Sequence, residues 1–279
     1  MLLSANAGAN SIDHLADLGY EAIDIGFTAV IPGKIYDGPK HNALLDGDDW
    51  QKNLDPVIER AKERNIKIES IHLPYLYDYA NPSNPAYDFE LCHKMACRAL
   101  QAAEYMGAKW AVMHVKDFKS TVDYAKKLFE DSGVQTVGLA IENAHSVTIS
   151  TLIEVVDTLV AEGYRAGICL DVGHCHINKC YDNDVPSVIR QMGKRIKVLH
   201  IHDNSRNRDN HEAPFTGTMP WKQVMEAFKE IGFEGPFNYE LKSRLIPAPA
   251  REAYEKYCVD IARYLLSIYD NYDPEAAKN

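Results

Sequence analysis

Residues 138–174 read GLAIENAHSVTISTLIEVVDTLVAEGYRAGICLDVGH, and the fold follows from how this stretch divides. Gly138–Glu142 is a short apolar run that ends in an acid, and Gly167–Asp171 is a second one. Between them, Ile149–Glu162 carries apolar residues at helical spacing, and Gly163 follows where a left-handed residue closes a helix. Strand, helix and strand in this order make a crossover unit, whose two strands run parallel.

The same alternation extends in both directions. Strands are predicted at Leu2–Ala5, Ala22–Phe27, Lys67–His72, Lys109–His114, Gly138–Glu142, Gly167–Asp171, Ile196–His202 and Phe237–Glu240. Most are brief and apolar, as strands covered on both faces should be. Helical patterns occupy Leu54–Asn65, Tyr87–Met106, Val122–Ser132, Ile149–Glu162, Val185–Met192, Trp221–Ile231 and Ala250–Tyr269, and Gly19, Gly107, Gly163 and Gly232 punctuate helix-to-strand connections. Eight strands alternating with helices predict a TIM (β/α)₈ barrel. One domain is expected over residues 1–279, with residues 271–279 a polar tail. The long connections Thr28–Asp49 and Leu73–Pro85 leave strand C-terminal ends, where barrels place substrate-contacting loops.

The formal net charge of −10 offers no field for phosphate backbones or anionic membranes, so a small-molecule partner is expected rather than nucleic acid. The first residues lack the basic and apolar segments of a secretion signal, and no apolar run is long enough to cross a bilayer. A cytoplasmic protein is expected, and a homo-oligomer is left open. The six cysteines form no CxxC pair and read as reduced thiols.

The chemistry is carried by residues at strand ends. Glu142 ends GLAIE, Asp171 ends GICLD, His200 lies in KVLHIHD and Glu240 ends FNYE. Parallel strands converge these side chains on one rim. Singly, each is more often a helix cap or a salt-bridge partner. Four in equivalent positions would repel in a partly desolvated rim unless a cation neutralised them, so a divalent metal is expected: Mn, Mg, Co or Zn. His72 and His114, near their own strand ends, and His202, with the same parity as His200, are candidates for the cavity wall. Tyr75 is a candidate wall residue, whereas packing is the expected role of Trp221.

His72-Leu73-Pro74-Tyr75, Ile141-Glu142-Asn143, Leu170-Asp171-Val172-Gly173-His174, His200-Ile201-His202-Asp203-Asn204, the stretch from Asp209-Asn210-His211 to Gly217-Thr218-Met219-Pro220-Trp221, and Glu240 together resemble the xylose isomerase-like TIM-barrel superfamily. That superfamily includes ketose 3-epimerases, hydroxypyruvate isomerases, inosose dehydratases and endonuclease IV-type enzymes. Resemblance to the epimerases implies that Glu142, Asp171, His200 and Glu240 hold one metal. It also implies that Glu142 and Glu240 move a proton next to a ketose carbonyl, through an enediolate. His174 and Arg206 match substrate-oxygen contacts, with His72, His114 and His202 also candidates for substrate binding.

A rival implication comes from the endonuclease IV-type enzymes. His72, His114, Glu142, Asp171, His174, His200, Asp209, His211 and Glu240 match their trinuclear zinc ligands in type and order, which makes His72, His114, His174, Asp209 and His211 candidates for additional metal. Three zinc ions would then serve phosphodiester hydrolysis. The short loop Asn143–Val147, the acidic charge and the lack of an arginine-rich track favour the sugar isomerase or epimerase. An inosose dehydratase-like lyase and a non-catalytic sugar-binding barrel are the further alternatives.

Overall fold

The computed structural model describes residues 1–27, 43–45, 47–74, 78–85, 88–144, 147–178, 184–243 and 246–276. Eight strands form one sheet: β1 (Leu3–Ala7), β2 (Ala22–Gly26), β3 (Lys67–His72), β4 (Trp110–His114), β5 (Gly138–Glu142), β6 (Ala166–Asp171), β7 (Ile196–His200) and β8 (Phe237–Tyr239). Every paired neighbour is parallel, in the order β7-β6-β5-β4-β3-β2-β1-β8. A parallel bridge between Ile201 and Tyr239 brings the two edges together, with Ile201 N donating to Asn238 O at 2.9 Å and Glu240 N to Ile201 O at 3.1 Å. The protein is a TIM barrel, as its strand count predicts.

Nine α-helices are described: α1 (Ile12–Leu18), α2 (Gln51–Glu63), α3 (Phe89–Met106), α4 (Phe118–Ser132), α5 (Ile149–Ala161), α6 (Val172–Ile177), α7 (Val185–Met192), α8 (Trp221–Glu230) and α9 (Ala248–Asn271). Gly19, Gly107, Gly163 and Gly232 all take positive φ, between 66° and 92°, as their punctuation requires. Helix starts were less legible, because capping overrides apolar periodicity. Helix α4 begins four residues before Val122, because the Asp117 carboxylate accepts from Ser120 N at 2.9 Å. Helix α3 starts behind Asp88, which accepts from Leu91 N at 3.0 Å. Helix α6 was not predicted at all.

The barrel interior is layered by the period of two along each strand. Val112, Ala140, Cys169 and Val198 form a buried apolar floor on β4 to β7. Two residues further along the same strands stand His114, Glu142, Asp171 and His200. On the other half the floor is polar, with Ser4, Asp24, Ser70 and Asn238 all buried, and one step above them lie Asn6, Gly26, His72 and Glu240. Outside the sheet, Leu100, Leu128, Leu152, Leu159, Ile189, Phe228 and Leu265 are fully buried on the helices' inner faces, each worth about 1.5–3 kcal/mol relative to exposure.

Five cysteines, Cys92, Cys97, Cys169, Cys175 and Cys258, are buried and free, in line with reduced thiols, and Cys180 lies outside the described residues. Among the described residues no helix is long and apolar enough to cross a membrane. Most of the connection Thr28–Asp49, Tyr75 and residues 277–279 of the expected tail also lie outside them.

Candidate metal centre

The register sets the rim. His114 pairs with Glu142, and Asp171 with His200, so these strand ends lie level with each other. Glu142, Asp171, His200 and Glu240 each offer a ligand atom within 4.8 Å of the others. Asp171 does two jobs at once. Its Oδ1 caps α6 by accepting from His174 N at 2.7 Å, while His202 Nε2 sits 3.0 Å from the same carboxylate. Asn143 ties β5 to β6 beside it, donating from Nδ2 to Asp171 O at 3.0 Å and accepting from Asp171 N at 2.7 Å.

Glu142 is two-sided. Its Oε2 faces His114 Nε2 at 2.9 Å and His72 Nε2 at 3.3 Å, while Oε1 faces His200 Nδ1 at 3.3 Å. Glu240 Oε2 lies 3.2 Å from that same His200 nitrogen. Glu142 is only 2% exposed, whereas Glu240 is 26% exposed and is the more accessible of the two.

A third group stands beside them. His211 Nε2 is 2.9 Å from Asp209 Oδ2, and His174 Nε2 is 3.7 Å from it. His211 sits in the left-handed region at φ 50° and stacks on His202 at 4.1 Å between ring centroids. A non-glycine residue holds that conformation only when its surroundings fix it. Here they do: His211 Nδ1 bonds Glu240 O at 2.8 Å, and the loop is anchored by Asp203, which accepts from Trp221 Nε1 at 2.8 Å and from Phe215 N at 2.9 Å. Trp221 is therefore a buried packing residue, as expected.

Of the candidates read from sequence, His72, His114, Glu142, His174, Asp209, His211 and Glu240 line one cavity of about 510 Å³, with Asn6, Phe27 and Lys242 among its other walls. Asp171, His200 and His202 lie buried behind it. Arg206 is not among the described lining residues. It is exposed, with Nε 3.4 Å from His176 Nε2. Sequence reasoning missed Asp24, a fully buried acid in the middle of β2 whose Oδ2 is 3.3 Å from His200 Nε2. The available signal was a charge between two isoleucines, Ile23 and Ile25, in a strand covered on both faces.

Charges compensate strongly here. Burial pushes the Glu142 carboxyl up, but the positive charges of His114 and His200 outweigh it and hold it well below the usual range. Burial likewise opposes ionisation of Asp171, and the charges of His174 and His202 overcome it and lower its pKa. Burial disfavours the charged form of His174, yet Asp171 and the Asp209 hydrogen bond raise it to about 10. Burial also works against charged His200, which its acidic neighbours nonetheless raise well above its ordinary value. The donor set fits a divalent cation: clustered carboxylates and imidazoles, with the buried Asp209 Oδ1 lacking any hydrogen-bond partner among the described residues.

A carboxylate–imidazole cluster that could hold a metal ion therefore stands at the C-terminal rim of a parallel barrel. The chain belongs to the xylose isomerase-like TIM barrel family, which it matches over residues 12–258. It is 23% identical to a probable endonuclease 4 of Oceanobacillus iheyensis, over 70% of this chain and 84% of that protein. An uncharacterised protein of Sinorhizobium fredii is 32% identical over 74 residues, which cover 26% of this chain and 23% of that relative's length. The fold is also that of a D-psicose 3-epimerase crystallised in the presence of D-fructose, with a TM-score of 0.70, 14% identity, and 95% and 99% of the two chains covered.

Proposed function

We propose that this protein is a divalent-metal-dependent isomerase or epimerase that moves a proton next to the carbonyl of a ketose or a related hydroxy-carbonyl compound. One observation carries the reading: Glu142 and Glu240 bracket the same His200 nitrogen, at 3.3 and 3.2 Å, in a cavity of about 510 Å³. That volume suits a small ligand. Glu142, Asp171, His200 and Glu240 would hold the ion. Bound there, it would polarise the substrate carbonyl and lower the barrier to losing the adjacent proton. Glu240, the more exposed acid, would remove the proton from one face and Glu142 would return one to the other, the two exchanging base and acid roles between the two directions of the reaction. His174 and the other rim histidines orient substrate oxygens.

Incubation with ketoses in D₂O tests this directly. Deuterium is expected at the carbon beside the carbonyl, and Glu240→Gln is expected to slow its uptake by about 10²–10⁴-fold. Unchanged uptake in that variant would remove Glu240 from the mechanism.

A second reading, a trinuclear zinc phosphodiesterase, is favoured by the two-sided Glu142. Its Oε2 meets His72 and His114 while its Oε1 meets His200, and His174, Asp209 and His211 gather beside them, with His174 Nδ1 3.6 Å from Glu142 Oε1. Such a carboxylate suits bridging between two ions, and the Oceanobacillus relative supports it. The net charge of −10 opposes a nucleic-acid substrate. Elemental analysis separates the two readings: about one ion per chain belongs to the first, close to three zinc ions to the second.

A further inference from the structure

We infer that Asp24 is the positioning residue of the metal centre: it anchors His200 through Nε2, so that Nδ1 is the nitrogen presented to the ion. The inference rests on Glu142, Asp171, His200 and Glu240 being metal ligands. Asp24 occupies the layer where the opposite half of the barrel carries only Val112, Ala140, Cys169 and Val198. An apolar side chain would fill that place without a desolvation cost, so packing alone does not explain a carboxylate there.

Its contacts do. Asp24 Oδ2 accepts from Asn6 Nδ2 at 3.0 Å and from Asn238 Nδ2 at 3.5 Å, and His200 Nε2, which has no hydrogen-bond partner among the described residues, stands at an ion-pair distance of 3.3 Å from the same oxygen. Ser4 Oγ donates to Asn238 Oδ1 at 2.8 Å, which turns the amide's NH₂ toward the acid. Both Asp24 and His200 are fully buried, so neither water nor substrate competes for this pairing. With a cation bound, an imidazole that keeps its proton on the side facing Asp24 has its lone pair on the other, and that other nitrogen, at hydrogen-bond distance from Glu142 in the metal-free chain, is the one between Glu142 and Glu240.

The test is zinc affinity of the full chain by chelator competition, with metal-free thermal stability measured alongside. Asp24→Asn is expected to weaken zinc binding by about 10–100-fold. Ser70→Ala, in the same buried polar layer but outside the Ser4–Asn238–Asp24 chain, is expected to change zinc affinity by less than about threefold. A measurement on the wild type removes dependence on the variant's folding: long-range ¹H–¹⁵N correlation of the zinc-loaded, ¹⁵N-histidine-labelled protein is expected to show His200 protonated at Nε2 and metal-bound at Nδ1. Unchanged affinity in Asp24→Asn, or coordination through Nε2, would overturn the role of Asp24 while leaving the metal centre standing. A wild-type chain that takes up no zinc would overturn both.

Discussion

Asp171 shows how one side chain serves fold and chemistry together. As the cap of α6 it needs an acceptor oxygen; as a member of the rim cluster it needs a negative charge. Asparagine caps about as well as aspartate, but it leaves His174 and His202 without a buried counter-charge, so Asp171→Asn is expected to cost about 3–5 kcal/mol of metal-free stability and to weaken metal binding sharply. Unchanged thermal unfolding of the metal-free variant, or an unchanged metal titration, would contradict this double role. The gathering of Glu142, Asp171, His200 and Glu240 was legible because each lies at the end of an apolar run, a placement that parallel strands turn into proximity. Asp24 was not, because attention to strand ends passes over an acid in mid-strand whose meaning appears only when His200, far away in sequence, is found above it.

At the level of elements, the turn from β6 into α6 is closely packed against His202. A Cβ placed on Gly173 would lie 1.8 Å from His202 Cε1, and His202 is fully buried with its Nε2 against Asp171. Neither ring nor helix has room to yield. Gly173→Ala is expected to cost about 1–3 kcal/mol of stability and to loosen metal binding by displacing His202 from Asp171. A variant with wild-type unfolding and metal affinity would contradict that packing. Helix α6 escaped sequence reading because it is only six residues long and is set by the Asp171 cap rather than by an apolar stripe. The β7 run predicted to reach His202 ends its ladder at His200, since only Ile201 still bridges to β8. His202 keeps its inward position nonetheless.

Across the whole molecule, the barrel gathers mutually compensating charges at one end of an otherwise acidic chain. His174, raised to about 10, and His72, His200 and His211, also raised, have their protonated forms favoured by the acids around them in the metal-free protein. The stability these histidines contribute is full below their unfolded pKa of about 6.5 and is lost as pH rises through the folded values. The carboxyls of Glu142, Asp171 and Asp209 are lowered, so their contribution is present above about pH 4 and is lost as pH falls through their folded values. A cation must displace the histidine protons, so metal affinity is expected to rise with pH through neutrality, with proton release on binding. Calorimetry in two buffers of different ionisation enthalpy checks this, and identical heats would contradict it. Bound metal at about 100 times its dissociation constant is expected to add about 2.7 kcal/mol to stability, reversibly with chelator. The most direct measurement is anomalous X-ray diffraction from crystals of the manganese-loaded protein. The expected result is a peak bounded by Glu142, Asp171, His200 and Glu240, with His200 contributing Nδ1; loaded crystals with no peak among these four side chains would contradict it.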